Sequence, residues 1–160
     1  MIMQRLFAAS FAILLATLSF GAAAQLTDKK ALTLEAAKKV AAAAEAEALK
    51  NRWNVVIAVV DDGGHLIYLQ RMDTTQTGSV EVAIRKAQTA MSFKRPTKVF
   101  EDAIAGGRNA LIALGALPLE GGLPITVGGQ VVGAIGVSGV TAQQDGVIAK
   151  AGADSAGDLK

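Results

Sequence analysis

The chain has 160 residues, with 16 Lys and Arg against 14 Asp and Glu, no cysteine and a single histidine. That length suits one domain around a single hydrophobic core, and a formal charge of +2 provides no clustered positive surface for nucleic acid. Without cysteine there are no disulfides, thiolate metal sites or Cys nucleophile, and His65 alone leaves neither a poly-His zinc site nor a spare imidazole beside a nucleophile.

Residues 1–24 have the layout of a secretory signal. Arg5 gives the positive start, Leu6–Phe20 the apolar stretch, and Ala22-Ala23-Ala24 a small-residue cleavage site before Gln25. A transmembrane anchor would need roughly 20 apolar residues; this run is shorter and diluted by Ala, Ser and Thr. The expectation is cleavage after Ala24, a periplasmic or secreted location, no stable membrane insertion, and one domain over residues 25–160.

Thr33 is a natural N-cap, with Glu35 in the first turn, for a helix running to about Lys50. Leu34, Ala37, Ala41, Ala44 and Ala48 mark a narrow face suited to close packing on a sheet. The β-branched, continuously apolar Asn54–Val60 predicts a central strand covered on both sides. Asp61-Asp62-Gly63-Gly64 is a tight-turn signal, and His65–Met72 alternates as the second strand of a hairpin. Leu66, Tyr68, Gln70 and Met72 point one way, and Ile67, Leu69 and Arg71 the other.

Ser79–Phe93 returns to helical spacing with two stripes. One is Val80, Ile84, Ala87 and Met91; the other, Val82, Lys86, Thr89 and Phe93, lies nearly opposite at about 100° per residue. Such a helix touches the core with one stripe and something else with the other. Pro96 stops it, and a short helix near Lys98–Ala105 leads to Gly106-Gly107. Pro124–Val127, Gly128-Gly129 and Gln130–Val137 predict a second hairpin. On its last strand Val132, Ala134, Gly136 and Ser138 share a nearly flat face, which points to a close neighbour: helix, subunit or ligand. Thr141 caps a closing helix over about Ala142–Ala153. The element order predicts an α+β fold, helices packed on a small antiparallel sheet.

Few residues could carry chemistry. His65 opens a strand after a Gly-Gly turn, either as a metal or haem ligand or acid–base group, or as an ordinary polar turn residue. Arg71 could hold a carboxylate with its planar fork. Met72 is a soft ligand or plain core, and Asp73 caps the loop that follows. Lys86, Thr89 and Phe93 put a cation, a hydroxyl and a ring on one helix face, for a subunit contact or a pocket alike. Gly121-Gly122 belong to a Gly-rich loop that fits neither the Walker pattern nor GxGxxG. Asp61-Asp62 reads as a solvated turn rather than a metal site.

Val59-Val60-Asp61-Asp62-Gly63-Gly64-His65-Leu66 with Gln70-Arg71-Met72-Asp73, Lys86-Ala87-Gln88-Thr89-Ala90 with Phe93, and Arg95-Pro96-Thr97 together resemble the GlcG/HbpS family. So do Gly121-Gly122-Leu123-Pro124-Ile125, Gly133–Gly139 and Gln144-Asp145, in register over residues 30–153. The resemblance, nearest to a glycolate-associated subgroup, implies a profilin-like (PAS-like) α+β fold and homo-oligomers of two, four or eight chains. Some members of the family bind or degrade haem. On that footing the expected cofactor is haem, held for carriage, sensing or slow degradation. His65 is then the foremost ligand candidate, with Tyr68, Met72, Met91 and Thr89 as others, Arg71 and Lys86 toward the propionates and Phe93 in the slot. The alternatives are a non-catalytic module for a small organic acid such as glycolate, using Arg71 or Lys86 and the N–H groups near Gly121 and Gly122, or a structural partner protein. No base–nucleophile arrangement stands out, so binding is expected ahead of catalysis.

Overall fold

The computed structural model describes residues 26–159; the expected leader lies outside them. Helix α1, Leu34–Asn51, starts where Thr33 accepts the Ala36 N–H at 3.2 Å and ends at Arg52, in the left-handed region at φ 58°. Strands β1 (Val56–Asp61) and β2 (Leu66–Arg71) form the first hairpin. Helices α2 (Ser79–Phe93) and α3 (Lys98–Ala105) follow, then a 3₁₀ segment over Asn109–Leu114. Strands β3 (Gly122–Val127) and β4 (Gln130–Ser138) form the second hairpin, and α4 (Ala142–Asp154) closes the domain. Its N-terminus has a full capping box, Thr141 and Gln144 each bonding the other's backbone N–H.

The sheet order is β2-β1-β4-β3 and every pairing is antiparallel. This is the α+β architecture expected from the sequence. The apolar runs occupy the two central strands, as the lack of polar alternation in β1 requires. Helices α1 and α4 pack together on one face, where Val40, Ala44 and Ile148 bury Ile57, Val59, Ile135 and Val137. Gly152 permits that approach, because a Cβ there would come within 2.6 Å of Ile135 Cδ1.

Helix α2 covers the other face. Ala83, Ala87 and Ala90 sit over Val56, Ala58, Val60 and Ala134. The neighbour of the flat β4 face is this helix: a Cβ on Gly136 would stand 2.0 Å from the Ala83 carbonyl oxygen and 2.5 Å from the Ala87 nitrogen. The core-facing row therefore takes Ala87 and Met91 from the first stripe read from the sequence and adds Ala83 and Ala90, which lie between the two stripes.

Two bulges change the strand faces expected from strict alternation. The register shifts between Val59 and Val60 leave Ile67 unpaired, so Ile67 and Tyr68 both pack toward α1 and α4. A second shift, opposite Ile125 and Thr126, turns Val132 to the α1/α4 face, away from Ala134 and Gly136. The second hairpin also begins two residues earlier than predicted, at Gly122. There Thr97 closes the outer edge: its N–H donates to the Gly122 carbonyl at 3.0 Å and its Oγ1 accepts the Gly122 N–H at 2.9 Å.

Candidate functional site

Helix α2 sets the geometry, because its flank toward β3 carries Lys86, Thr89 and Phe93. The chain's own later residues cover all three. Lys86 is 2% exposed and runs past Gly121; its Nζ donates to the Val137 carbonyl at 2.9 Å and to Asp145 Oδ2 at 2.8 Å. Asp145, in the first turn of α4, is equally buried, and its Oδ1 accepts the Val140 N–H at 3.2 Å. Burial pushes the Asp145 carboxyl above its ordinary 3.8, against the opposing pull of Lys86 and the Val140 and Gly139 N–H groups. Lys86 is thus a strut tying α2 to α4, and its ammonium is committed inside the protein rather than open to a ligand.

The same strut explains the two glycines. A Cβ on Gly121, at φ 121°, would meet Lys86 Nζ and the Val137 carbonyl at 2.8 Å, and one on Gly122 would meet the Lys86 carbonyl at 2.4 Å. Both are glycine because the chain closes on itself here. They also line a cleft of about 460 Å³ between α3, the start of β3 and α4.

Thr89 and Phe93 are brought together. Thr89 Oγ1 accepts the Leu117 N–H at 3.0 Å, and the Phe93 ring meets Phe100 edge-on with centroids 4.9 Å apart. With Arg85, Gln88, Ser92 and the Leu114–Ala116 segment they line a groove of about 250 Å³ on the outer side of α2. His65 stands at its margin. Asp61 Oδ1 accepts the N–H groups of Gly63 and His65, each at 2.9 Å, and holds the turn. Gln88, a groove residue, donates to the Gly64 carbonyl at 3.3 Å. The imidazole is exposed and folded over Gly63.

Arg71 and Met72 do not join this group. Arg71 is exposed at the far end of β2, opposite Val56, roughly 20 Å along the strand from His65 at about 3.3 Å per residue. Met72 packs into the α1/α4 core on the opposite face. The cation in the groove is Arg85, which the sequence reading passed over for its neighbour Lys86. The available signal was the spacing Arg85, Gln88, Thr89, Ser92, one helical face at i, i+3, i+4, i+7. Asp62, read as a solvated turn residue, forms an ion pair with Lys29.

A family profile described as haem degrading protein HbpS-like matches residues 32–154. The protein GlcG of Escherichia coli K12 is 45% identical over 111 residues, spanning 69% of this chain and 83% of that one. Among solved structures, a double mutant of HbpS from Streptomyces reticuli superposes with a TM-score of 0.73 at 38% identity, covering 82% of this chain and 91% of that one. A PduOC:heme complex superposes at 0.72 with 27% identity, covering 79% and 95%. Over nearly all of the described residues, then, sequence and fold agree, and the chain belongs to the HbpS-like haem-degrading family to which its motifs pointed.

Proposed function

We propose that the protein is an exported, homo-oligomeric haem-binding protein that carries, senses or slowly degrades haem. A haem-related binding role is supported by the family's description and by the haem complex of the relative PduOC. For this chain the reading rests on the groove outside α2. Haem asks for an apolar wall, a cation for its propionates and an axial donor. Phe93 and Leu114 supply wall, Arg85 a cation, and the Gln88–Gly64 bond keeps the His65 turn at the groove's margin. Thr89 offers a hydroxyl within the wall itself. Bound haem would supply the redox chemistry of its iron; these side chains hold and orient it.

At about 250 Å³ the groove falls below the usual 300–1,000 Å³ of ligand sites, so it serves as one wall for a flat macrocycle. That supports a homo-oligomer, since Ile112 and Leu114 beside it are more than half exposed and offer apolar surface to a second copy. Export rests on the layout of residues 1–24; among the described residues no helix is long and apolar enough to cross a membrane. The organic-acid alternative has no comparable support. In the cleft beside Gly121 and Gly122 both lysines are bonded to carboxylates, and the uncommitted charge is that of Glu120.

Visible absorption titration of the purified protein with haemin tests the proposal. A saturable, shifted Soret band at about one haem per chain is expected, and His65→Ala should abolish the shift. No saturable shift in the wild type removes haem from consideration. A band unchanged by His65→Ala keeps haem and moves the ligand to Thr89.

A further inference from the structure

The cleft on the β3 side of the Lys86 strut shares no lining residue with the groove. Its wall is apolar along Leu123, Pro124 and Ala153, and its charged residues are Lys98, Glu120, Lys150 and Asp154. Three of these four are already committed. Lys98 Nζ donates to Asp102 at 2.6 Å, and Lys150 bonds to Asp154. Glu120 is the remainder. Its Oε2 is enclosed without a hydrogen-bond partner among the described residues, and its Oε1 rests against Gly146, where a Cβ would come within 2.5 Å.

A carboxylate drawn partly out of water without a donor is costly, so a ligand donor that the Glu120 side chain turns to meet from the cleft gains what the protein leaves unmade. The surroundings sharpen the sign of that donor. A second carboxylate, Glu101, lies alongside and accepts the Glu120 N–H at 2.5 Å. The Lys98 ammonium is held above its ordinary pKa by Asp102 first, and also by Glu120 and Glu101, so the field at this end of the cleft is negative. An incoming acid would find its cations occupied. A neutral hydroxyl would satisfy the oxygen and leave the charge.

We propose that this cleft binds a small aliphatic amine, its ammonium on the Glu120 carboxylate and its hydrocarbon portion along Leu123, Pro124 and Ala153. The site is independent of the haem reading, and neither result decides the other.

Calorimetric titration of the purified full chain with hexylammonium chloride, hexan-1-ol and sodium hexanoate is the test. Hexylammonium should bind saturably, hexanol at least ten-fold more weakly, and hexanoate not at all. Glu120→Gln should weaken hexylammonium at least ten-fold while the circular dichroism spectrum stays wild type. Lys150→Gln, at an exposed position, gives a readout even if Glu120→Gln folds poorly: taking a positive charge out of the cleft lining should tighten amine binding at least two-fold. Amide NMR shifts on titration should centre on Gly121, Gly122 and Gly146. The proposal is overturned if hexylammonium does not saturate, if hexanol or hexanoate binds as tightly, if folded Glu120→Gln binds it unchanged, if Lys150→Gln does not tighten it, or if the shifts cluster elsewhere.

Discussion

The two faces of the sheet are built from different materials. Under α1 and α4 the contacts are aliphatic, with Val40, Ala44 and Ile148 closing over Ile57, Val59, Ile135 and Val137. Under and beside α2 lie alanines with Val56 and Val60, the glycines Gly121, Gly122 and Gly136, and polar groups: Lys86 with Asp145, Thr89 with the Leu117 N–H, and the Ser138 hydroxyl donating to Ser79 Oγ at 3.3 Å. The aliphatic face can tolerate a change of volume by letting side chains shift. The α2 face has no such slack, because backbone meets backbone at Gly136 and every buried polar atom depends on a specific partner.

The sharpest way to break that contrast is Gly136→Val. Its Cβ would sit 2.0 Å from the Ala83 carbonyl, a backbone atom that cannot move unless α2 lifts off the sheet. Overpacking usually costs about 1–3 kcal/mol when side chains can adjust, so about 4 kcal/mol or more is expected where a helix must be displaced. Ile135→Val, the next residue but on the opposite face, should cost about 0.5–1.5 kcal/mol. Urea melts of both variants against wild type compare the faces directly. A Gly136→Val melt close to that of Ile135→Val would mean that α2 is not seated as described.

Next in size is the strut. Lys86→Met removes one partner of a buried pair and strands Asp145, at about 3–5 kcal/mol. The double variant Lys86→Met with Asp145→Leu should regain much of that, since two apolar side chains leave no buried charge behind. The pH dependence of the pair follows from the raised Asp145 pKa. A carboxyl that holds its proton more tightly folded than unfolded contributes stability at low pH, and loses it as pH rises from about 3.8 through the folded value. The stability of wild type minus that of Asp145→Asn should therefore fall as pH rises from about 3.8 in urea melts, while surface carboxylates common to both proteins cancel. A difference that rises over this range would contradict the burial of Asp145.

How much of this was legible depended on whether the cause was local. The run Val56–Val60 announced a doubly covered strand, and Thr33 and Thr141 announced their helix starts, because each signal is contained in a few residues. Gly133, Gly136 and Gly139 announced a close neighbour without saying which. The bulges at Ile67 and Val132 were invisible, since register is a property of two strands. The role of Lys86 was hidden for a related reason. Its partner Asp145 lies 59 positions away, so nothing near Lys86 marks it as buried, and an amine beside Thr89 and Phe93 reads as a ligand contact. Met72 and Arg71, neighbours in sequence, were grouped with the site although strand geometry sends them to different faces.

The smallest expected effect is the most discriminating about the site, because it turns on one step along α2. Arg85 and Lys86 are adjacent cations about 100° apart on the helix; Arg85 is exposed in the groove and Lys86 is sealed against Asp145. Arg85→Ala should change stability by no more than about 0.5 kcal/mol, as surface substitutions do, against about 3–5 kcal/mol for Lys86→Met. If Arg85 meets the propionates, its loss should weaken haemin binding several-fold without moving the Soret maximum, since the axial donor is untouched. A destabilised Arg85→Ala would place Arg85 in the packing and take the cation out of the groove. A stable variant with unchanged haemin affinity would leave Phe93 and Leu114 as a wall with no partner for the acid groups, and the groove would then be better read as a contact surface for a second copy of the chain.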